Sequence, residues 1–395
     1  MVVEVRPIRP DEFEEFVRVD AIAFQFERKP TDPPRPDTWA RGELERAFGA
    51  FVDGSMVGIG RNYSFELTVP GGRRVRSGAV SWIGVSPTHR RRGVLTEMMA
   101  ALAEDSAAHD EPLSMLTASE GAIYRRFGYG VAVDRVGCTI ESAHGSFVAF
   151  VDPGSSRFVT AEQAALEFPS IYESTRSTVG SVSRPEFWWP EVLFGSESDN
   201  KFYVVHETGG VADGFVAYSV VGDWVGGIND RTLEVLDLQA TNDSARLALW
   251  RFLLDIDLTV RVKCFQVPMH DPLRWALADV RRRRVDFVND GLWVKVLDVP
   301  AAMVARSYAV DESLRFSVDD VTYELTANGG SASCSRTDDA PEVSFARDVL
   351  GSLYLGQRRA SEFVAVGGCA GSPTAIARAD RLFATLDHAA MLSYF

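Results

Sequence analysis

Cysteine is scarce in this chain. Only four of the 395 residues are cysteines. Cys138, Cys264, Cys334 and Cys369 are far apart and form no Cys-x-x-Cys pair. That spacing argues against a zinc site and against a disulfide framework, so no metal is expected and buried free thiols are the default. Long apolar runs are missing as well. None approaches the roughly 20 residues needed to span a bilayer. The opening Met1-Val2-Val3-Glu4-Val5-Arg6 lacks the character of a secretory signal. No membrane partner is expected, and a reducing cytoplasm fits best. Positive charge is in deficit, with 41 Lys and Arg against 55 Asp and Glu and a net charge of −14. Nucleic acid is therefore not expected as the main partner, whereas cationic small molecules or basic peptides would be drawn in. Arg281-Arg282-Arg283-Arg284 is the local exception and reads as a solvated helix end or an ion-pair cluster between subunits.

What is present is a folded chain, 46% hydrophobic and 24% charged, long enough for two or three domains. The most informative stretch is Trp82-Ile83-Gly84-Val85-Ser86-Pro87-Thr88-His89-Arg90-Arg91-Arg92-Gly93-Val94-Leu95. Ile83 and Val85 continue a strand that Pro87 ends, because proline has no N–H for a ladder. After Gly93, Leu95, Met98 or Met99, and Leu102 recur at helical spacing. A basic loop thus opens a helix, where free N–H groups and the positive dipole end attract phosphate. Taken alone, a triple arginine is almost as well read as a solvated turn. The Walker and dinucleotide glycine fingerprints are absent.

The order of elements over residues 1–150 reads strand, helix, strands, long strand, helix, strand, short helix. One helix spans Asp11 to Phe26, with Phe13, Phe16, Val17 and Ala21 on one face, and strands span Phe48 to Ile59 and Ser64 to Val69. Residues 151–290 repeat a strand-turn-helix-strand unit around Leu233 to Leu238 and Asp243 to Ile256, with Leu247, Trp250, Leu253 and Leu254 facing inward. Its turn, Gln239-Ala240-Thr241-Asn242-Asp243-Ser244, has no glycine, and Asp243 would repel phosphate. Residues 291–395 read as a short helix, a three-stranded meander over 315–335, helices over 345–355, 361–366 and 374–382, and a tail.

Arg90-x-x-Gly93 resembles the pyrophosphate-binding segment of the GNAT acetyltransferases, with Leu95 standing where glycine or alanine is usual. The stretch Ala118-Ser119-Glu120-Gly121-Ala122-Ile123-Tyr124-Arg125-Arg126-Phe127-Gly128-Tyr129-Gly130, then Gly291-Leu292-Trp293-Val294, Asp298-Val299-Pro300-Ala301 and the terminal Phe395, extend the resemblance to the Eis-type GNAT acetyltransferases over essentially the full length. The resemblance implies an α/β (α+β) protein. It would have an acetyl-CoA-binding GNAT domain (1–150), a second GNAT-like domain without a cofactor site (151–290) and a sterol-carrier-like domain (291–395).

It also implies roles. Ile83, Gly84 and Val85 would pair with the pantetheine arm, one N–H there, that of Val85, facing the thioester oxygen. Arg91, Arg92, Gly93, Val94, Leu95 and Thr96 would hold the pyrophosphate of acetyl-CoA, bracketed by Ser119 and Glu120. On spacing alone, Tyr124 reads as a tyrosine packed on Phe127; the resemblance makes it the proton donor to the leaving thiolate. A free phenol, with a pKa of about 10, is protonated at neutral pH. The terminal carboxylate of Phe395 would accept the proton of the attacking amine. Any chain end tends to fray, but Met391-Leu392-Ser393-Tyr394-Phe395 is apolar and aromatic, suited to docking. His89 and His388 are weaker rivals. Phe24, Phe26, Trp39, Trp82 and Tyr394 are candidates for the acceptor entrance, with Trp188 and Trp189 nearby. Family members acetylate amines of aminoglycosides and some lysine side chains and assemble as homohexamers. Aminoglycoside-active members carry an acidic residue before the terminal Phe, and Tyr394 departs from that. A carrier of apolar ligands and a long-chain acyl-CoA N-acyltransferase are the alternative readings.

Overall fold

The computed structural model describes residues 2–26, 42–194 and 200–395. The chain divides into two compact units. One comprises Met1–Val133, Asp290–Asp387 and Phe395; the other comprises Asp134–Asn289 and His388–Tyr394.

In the first unit, strands β1 (Glu4–Pro7), β2 (Ala47–Val52), β3 (Ser55–Thr68), β4 (Arg74–Val85) and β5 (Leu113–Leu116) lie side by side in that order. The strand Arg284–Val296 continues the sheet by pairing its Trp293–Val296 end antiparallel with β5. Helix α1 (Phe13–Phe24) covers one face through Phe13, Phe16 and Val17, packed against Ala47, Phe51 and Ile59. Helix α2 (Val94–Ala108) covers the other through Val94, Met98, Met99 and Leu102, packed against Phe48, Ala50, Val57 and Val80. Alternation along the strands sends neighbouring residues to opposite faces, so each helix buries its own apolar stripe.

Glycine sets how closely α2 lies on the sheet. A Cβ at Gly60 would stand 2.8 Å from Met98 Sδ, and one at Gly78 2.1 Å from Ser106 Oγ. The far end of α2 is tied down by a buried ion cluster. Arg46 donates to Asp105 at 2.6 Å and to Glu111 at 2.7 Å, and Asn62 donates to Asp105 at 2.8 Å. Removing one member of such a cluster strands a buried charge, a loss of about 3–5 kcal/mol.

The remainder of this unit is a five-stranded sheet in the order Ser331–Arg336, Val321–Asn328, Ser313–Val318, Val343–Phe345, Cys369–Gly371, with the helix Pro373–Phe383 against it. The expected meander is there. The helix expected from Phe345 begins instead at Arg347, because Val343–Phe345 pairs parallel with Phe316–Val318.

The second unit carries strands Arg261–Val267, Thr232–Ala240, Val211–Val221, Lys201–Thr208 and Ser155–Val159 in that spatial order, beside the far end of Gly130–Glu141. The helix Asp243–Leu254 buries Leu249, Trp250, Leu253 and Leu254. Leu249, and not the expected Leu247, faces the core. The helix Ala161–Thr175 is absent from the sequence reading; it opens with a capping box between Thr160 and Gln163 and contains Pro169. Trp188 and Trp189 are 2% and 5% exposed. They fill the core beside Tyr172 and Phe215 instead of lining an entrance. The segment His388–Tyr394 is docked in this unit: Ala390 donates to Val179 O at 2.8 Å, and Arg184 Nε donates to Ser393 Oγ at 2.9 Å.

Candidate active site

The site begins with an irregularity in β4. Ile59 pairs with Gly84 and Arg61 with Ser81, so β4 carries an extra residue opposite Gly60. Trp82 absorbs the bulge with a φ of 57°, an uncommon value for a large side chain and a mark of enforced geometry. β4 also leaves its other neighbour early: it pairs parallel with β5 only over Ser77, Gly78 and Ala79. Beyond that point the two strands part. Ser86 donates its N–H back to Val57 O at 2.8 Å. Successive N–H groups of an extended strand alternate in direction, so the N–H of Val85 points the other way, into the opening.

A cavity of about 540 Å³ fills this opening, a size suited to a small-molecule ligand. Ile83, Gly84 and Val85 line one side; Ser119, Glu120 and Tyr124 line another. Arg91, Gly93, Val94, Leu95 and Thr96 close the end formed by α2. Gly93 is the N-cap of α2 with a φ of 85° and no side chain to satisfy the helix N–H groups. Among the described residues, nothing beyond its immediate chain neighbours lies within 4 Å of where its Cβ would stand. Among the described residues, the N–H groups of Gly93, Val94 and Leu95 have no backbone acceptor, whereas that of Thr96 turns back to Gly93 O at 2.9 Å. Thr96 therefore borders the cavity without offering its N–H. The corresponding helix of the second unit differs: the Asn242 side chain accepts from Ala245 N at 3.0 Å and caps that helix internally.

The arginines distribute differently from the sequence expectation. Arg91 takes a left-handed φ of 61°. Arg90 and Arg91 border the cavity and Arg92 does not. Arg90 also reaches Ala23 O at 3.4 Å, and Arg126 from the Tyr124–Phe127 turn adds a further cation. Arg90 heads the Arg90-x-x-Gly93 segment noted in the sequence, whereas Ala23, Ile123 and Arg126 lie outside the residues given a role from sequence. The Arg125-Arg126 pair following Tyr124 was the available signal for one of them.

Two tyrosines near the cavity have opposite surroundings. Tyr129 is buried and its hydroxyl pairs with Ser114 Oγ at 2.7 Å. Tyr124 lines the cavity, and its hydroxyl makes no hydrogen bond to the described residues. Burial, helped by the negative charge of Glu120, pushes the Tyr124 phenol up to about 12. Its ring is held at 6.2 Å from Tyr129 and 6.5 Å from Trp293. The result is an oriented phenol with a free O–H, protonated throughout the neutral range.

Phe395 docks in the same unit. Its ring meets Phe65 edge-on at 5.4 Å, and its terminal oxygen accepts from Thr117 Oγ1 at 3.4 Å. Thr117 directly follows β5, two residues before Ser119. Of the entrance aromatics, Phe24 borders the cavity. Phe26 lines a separate surface depression with Glu14, Arg18 and Gln25. Trp82 packs on Phe16 at 5.8 Å and is not among the cavity-lining residues. Trp39 lies outside the described residues. Tyr394 belongs to the second unit, where its carbonyl accepts from Trp188 Nε1 at 2.5 Å. Of the rival bases, His89 borders the cavity and pairs with Thr88 Oγ1 at 2.9 Å, while His388 stacks on His270 at 3.8 Å. Among the described residues no three His, Cys, Asp or Glu side chains converge as a metal site, and no helix is long and apolar enough to cross a membrane.

Comparison with known proteins agrees with this geometry. Residues 4–132 and residues 180–327 each match the acetyltransferase (GNAT) domain family, and residues 299–391 match the sterol carrier protein domain. The chain is 36% identical over 337 residues to the N-acetyltransferase Eis of Mycobacterium tuberculosis, covering 80% of each protein. It is 31% identical over 414 residues to an uncharacterized N-acetyltransferase of Streptomyces griseus, covering 98% of each. Eis1 from Mycobacterium abscessus superposes over 100% of both chains with a TM-score of 0.88 at 32% identity. A GCN5-related N-acetyltransferase from Anabaena variabilis shares the fold at a TM-score of 0.86 and 16% identity. A cavity built from a split sheet and an uncapped helix, on a chain related to Eis along most of its length, thus identifies a member of the Eis-type GNAT N-acetyltransferases, enzymes that draw on an acyl-CoA.

Proposed function

We propose that this enzyme transfers an acetyl group from acetyl-CoA to the primary amine of a cationic small molecule, such as a polyamine or an aminoglycoside, or of a lysine side chain. The observation that carries the reading is the 540 Å³ cavity, in which an outward strand N–H, an uncapped helix N-terminus and an unpartnered phenol converge. The N–H groups of Gly93, Val94 and Leu95, with Arg90, Arg91 and Arg126 around them, fit a pyrophosphate. The N–H of Val85 is the candidate donor to the thioester oxygen, where negative charge grows as the amine attacks. Tyr124 is the candidate acid that hands its proton to the departing thiolate. The carboxylate of Phe395 is the candidate acceptor of the amine proton, directly or through one water. A terminal carboxylate is a weak base in water, with a pKa of roughly 3.3–3.7.

We assign the acetyl-CoA-binding fold to residues 1–150, the second GNAT-like fold to 151–290 and the sterol-carrier-like scaffold to 291–395. The likeness to Eis also supports a homohexamer, which light scattering would check. The test of the activity is thiol release from acetyl-CoA in the presence of spermidine, an aminoglycoside and a lysine-containing peptide. Saturable release with at least one amine is expected. A folded protein that binds acetyl-CoA yet turns over with none of the three would overturn the acceptor assignment.

A further inference from the structure

The acyl-transfer reading uses no cysteine, yet the second unit brings two of them together. Cys138 and Cys264 stand directly opposite each other where Gly130–Glu141 pairs antiparallel with Arg261–Val267. Opposed residues of such a pair share one face of the sheet, with Cα atoms roughly 4.5–5.5 Å apart. That separation falls inside the roughly 4.4–6.8 Å that a disulfide spans. Both thiols are free and buried, packed with Val235, Leu238 and Trp250. Regular pairing stops immediately afterwards, with a register shift between Cys264 and Val267.

A cation faces this pair. Arg283 is only 8% exposed, and among the described residues it forms no ion pair. Its Nη2 reaches Pro268 O at 3.4 Å, while its buried Nε makes no hydrogen bond. Burial pushes both thiols up, Cys138 to about 11, and the charge of Arg283 opposes that rise at Cys138. Asp271 and Asp286 act the other way. Asp271 is already paired with Arg246, and Asp286 accepts from Thr139 Oγ1 at 2.6 Å. A guanidinium with a spare donor beside a thiol favours its thiolate, the reactive form. Cys264 borders a cavity within the second unit, so a small neutral molecule has a way in.

We propose that Cys138 and Cys264 form an oxidisable dithiol, which hydrogen peroxide closes to a cross-strand disulfide with Arg283 assisting. The Cys264 thiolate attacks one peroxide oxygen, the O–O bond breaks, and with a proton from solvent one water leaves. Cys264 is then a sulfenic acid. The Cys138 thiolate attacks that sulfur, the S–S bond forms, the S–O bond breaks, and the oxygen leaves as a second water. Overall the two thiols give up two electrons and two protons, and one peroxide becomes two waters. The site is separate from the acyl-transfer reading, and its test reads thiols and mass alone. The full-length protein is held with hydrogen peroxide, quenched with catalase, denatured and alkylated with N-ethylmaleimide. Two of its four thiols should become unreactive and return on reduction, and proteolysis should release a peptide joining Cys138 to Cys264. A variant carrying Cys334→Ala and Cys369→Ala, which leaves the pair intact, should form the same cross-link. Arg283→Gln should slow closure about threefold to tenfold, and Arg283→Lys by less. Retention of all four thiols, oxidation to sulfinic or sulfonic acid without the cross-linked peptide, or loss of the cross-link in the folded double variant would each overturn the proposal. So would an unchanged closure rate in a folded Arg283→Gln variant.

Discussion

At the scale of single residues, function and stability separate by whether a polar group already has a partner. Tyr124 and Tyr129 are close neighbours in one cluster, yet only Tyr129 spends its hydroxyl on a protein acceptor. Tyr124→Phe therefore removes no hydrogen bond to the described residues. Its kcat should fall by about a hundredfold, the lower end of what a positioned proton donor supplies, while acetyl-CoA affinity and melting temperature stay unchanged. Equal losses in kcat and coenzyme affinity would point instead to a packing role. Because the phenol is pushed up to about 12, any alkaline fall in kcat below pH 10 must come from another group. His206 is the contrasting case, a residue whose partners make it structural. Its Nδ1 meets Asp213 at 2.6 Å and its Nε2 meets Asp152 at 3.0 Å, an arrangement that favours a proton on each nitrogen. Burial would lower its pKa, but the two carboxylates outweigh burial and raise it above 6.5. A raised folded pKa gives stability that is complete below about pH 6.5 and lost as pH rises through the folded value. Melting temperature should therefore decline as pH rises above about 6.5. His206→Gln should remove that decline and destabilise the protein at pH 6 by roughly 1–3 kcal/mol. A parallel decline in the variant would assign the effect elsewhere.

At the scale of elements, the uncapped start of α2 is the feature to perturb. Gly93 combines a φ of 85° with an open approach to the helix N–H groups. Gly93→Ala forces alanine into a left-handed conformation, a strain of about 1–2 kcal/mol, and puts a methyl group where the ligand would come. The KM for acetyl-CoA should rise about tenfold, more than kcat falls. A change confined to kcat would mean that this terminus does not hold the coenzyme. This element was legible in the sequence because its ingredients are local: a strand ended by Pro87, a basic loop, a glycine and an amphipathic helix. What lies around it was not. The bulge at Trp82 has no sequence mark, since a tryptophan at positive φ is imposed by the pairing of β3 with β4. The early parting of β4 from β5 depends on pairings between distant segments. That Arg90 and Arg91 border the cavity and Arg92 does not is likewise unmarked in three consecutive arginines. The strand expected from Phe48 to Ile59 is two strands, because Asp53 and Gly54 both take positive φ and reverse the chain. The helix Ala161–Thr175 was obscured by Pro169, although the Thr160 and Gln163 capping box was there to be read.

At the scale of the whole molecule, the last seven or so residues connect the C-terminal fold to the acyl-transfer reading. The segment before the terminus is anchored independently of Phe395: Leu392 O accepts from Arg184 at 3.1 Å, and Ser393 pairs with Tyr172 at 3.1 Å. Removing Phe395 should therefore leave the melting temperature almost unchanged, because those contacts persist. It still leaves a terminal carboxylate, but on Tyr394, whose own carbonyl oxygen is already engaged by Trp188. Three variants separate the carboxylate from the ring. Deletion of Phe395 displaces the charge, and kcat should fall by about a hundredfold or more if that charge takes the amine proton. Appending one glycine keeps the ring against Phe65 and moves the carboxylate outward, and the same loss is expected. Phe395→Ala keeps the carboxylate position in sequence but forfeits the ring contact at 5.4 Å, so its loss should be smaller and partly recovered at higher amine concentration. If the glycine extension turns over at the parent rate while Phe395→Ala does not, the terminus serves as a hydrophobic plug and the proton leaves by another route, with His89, already at the cavity edge, the next group to replace.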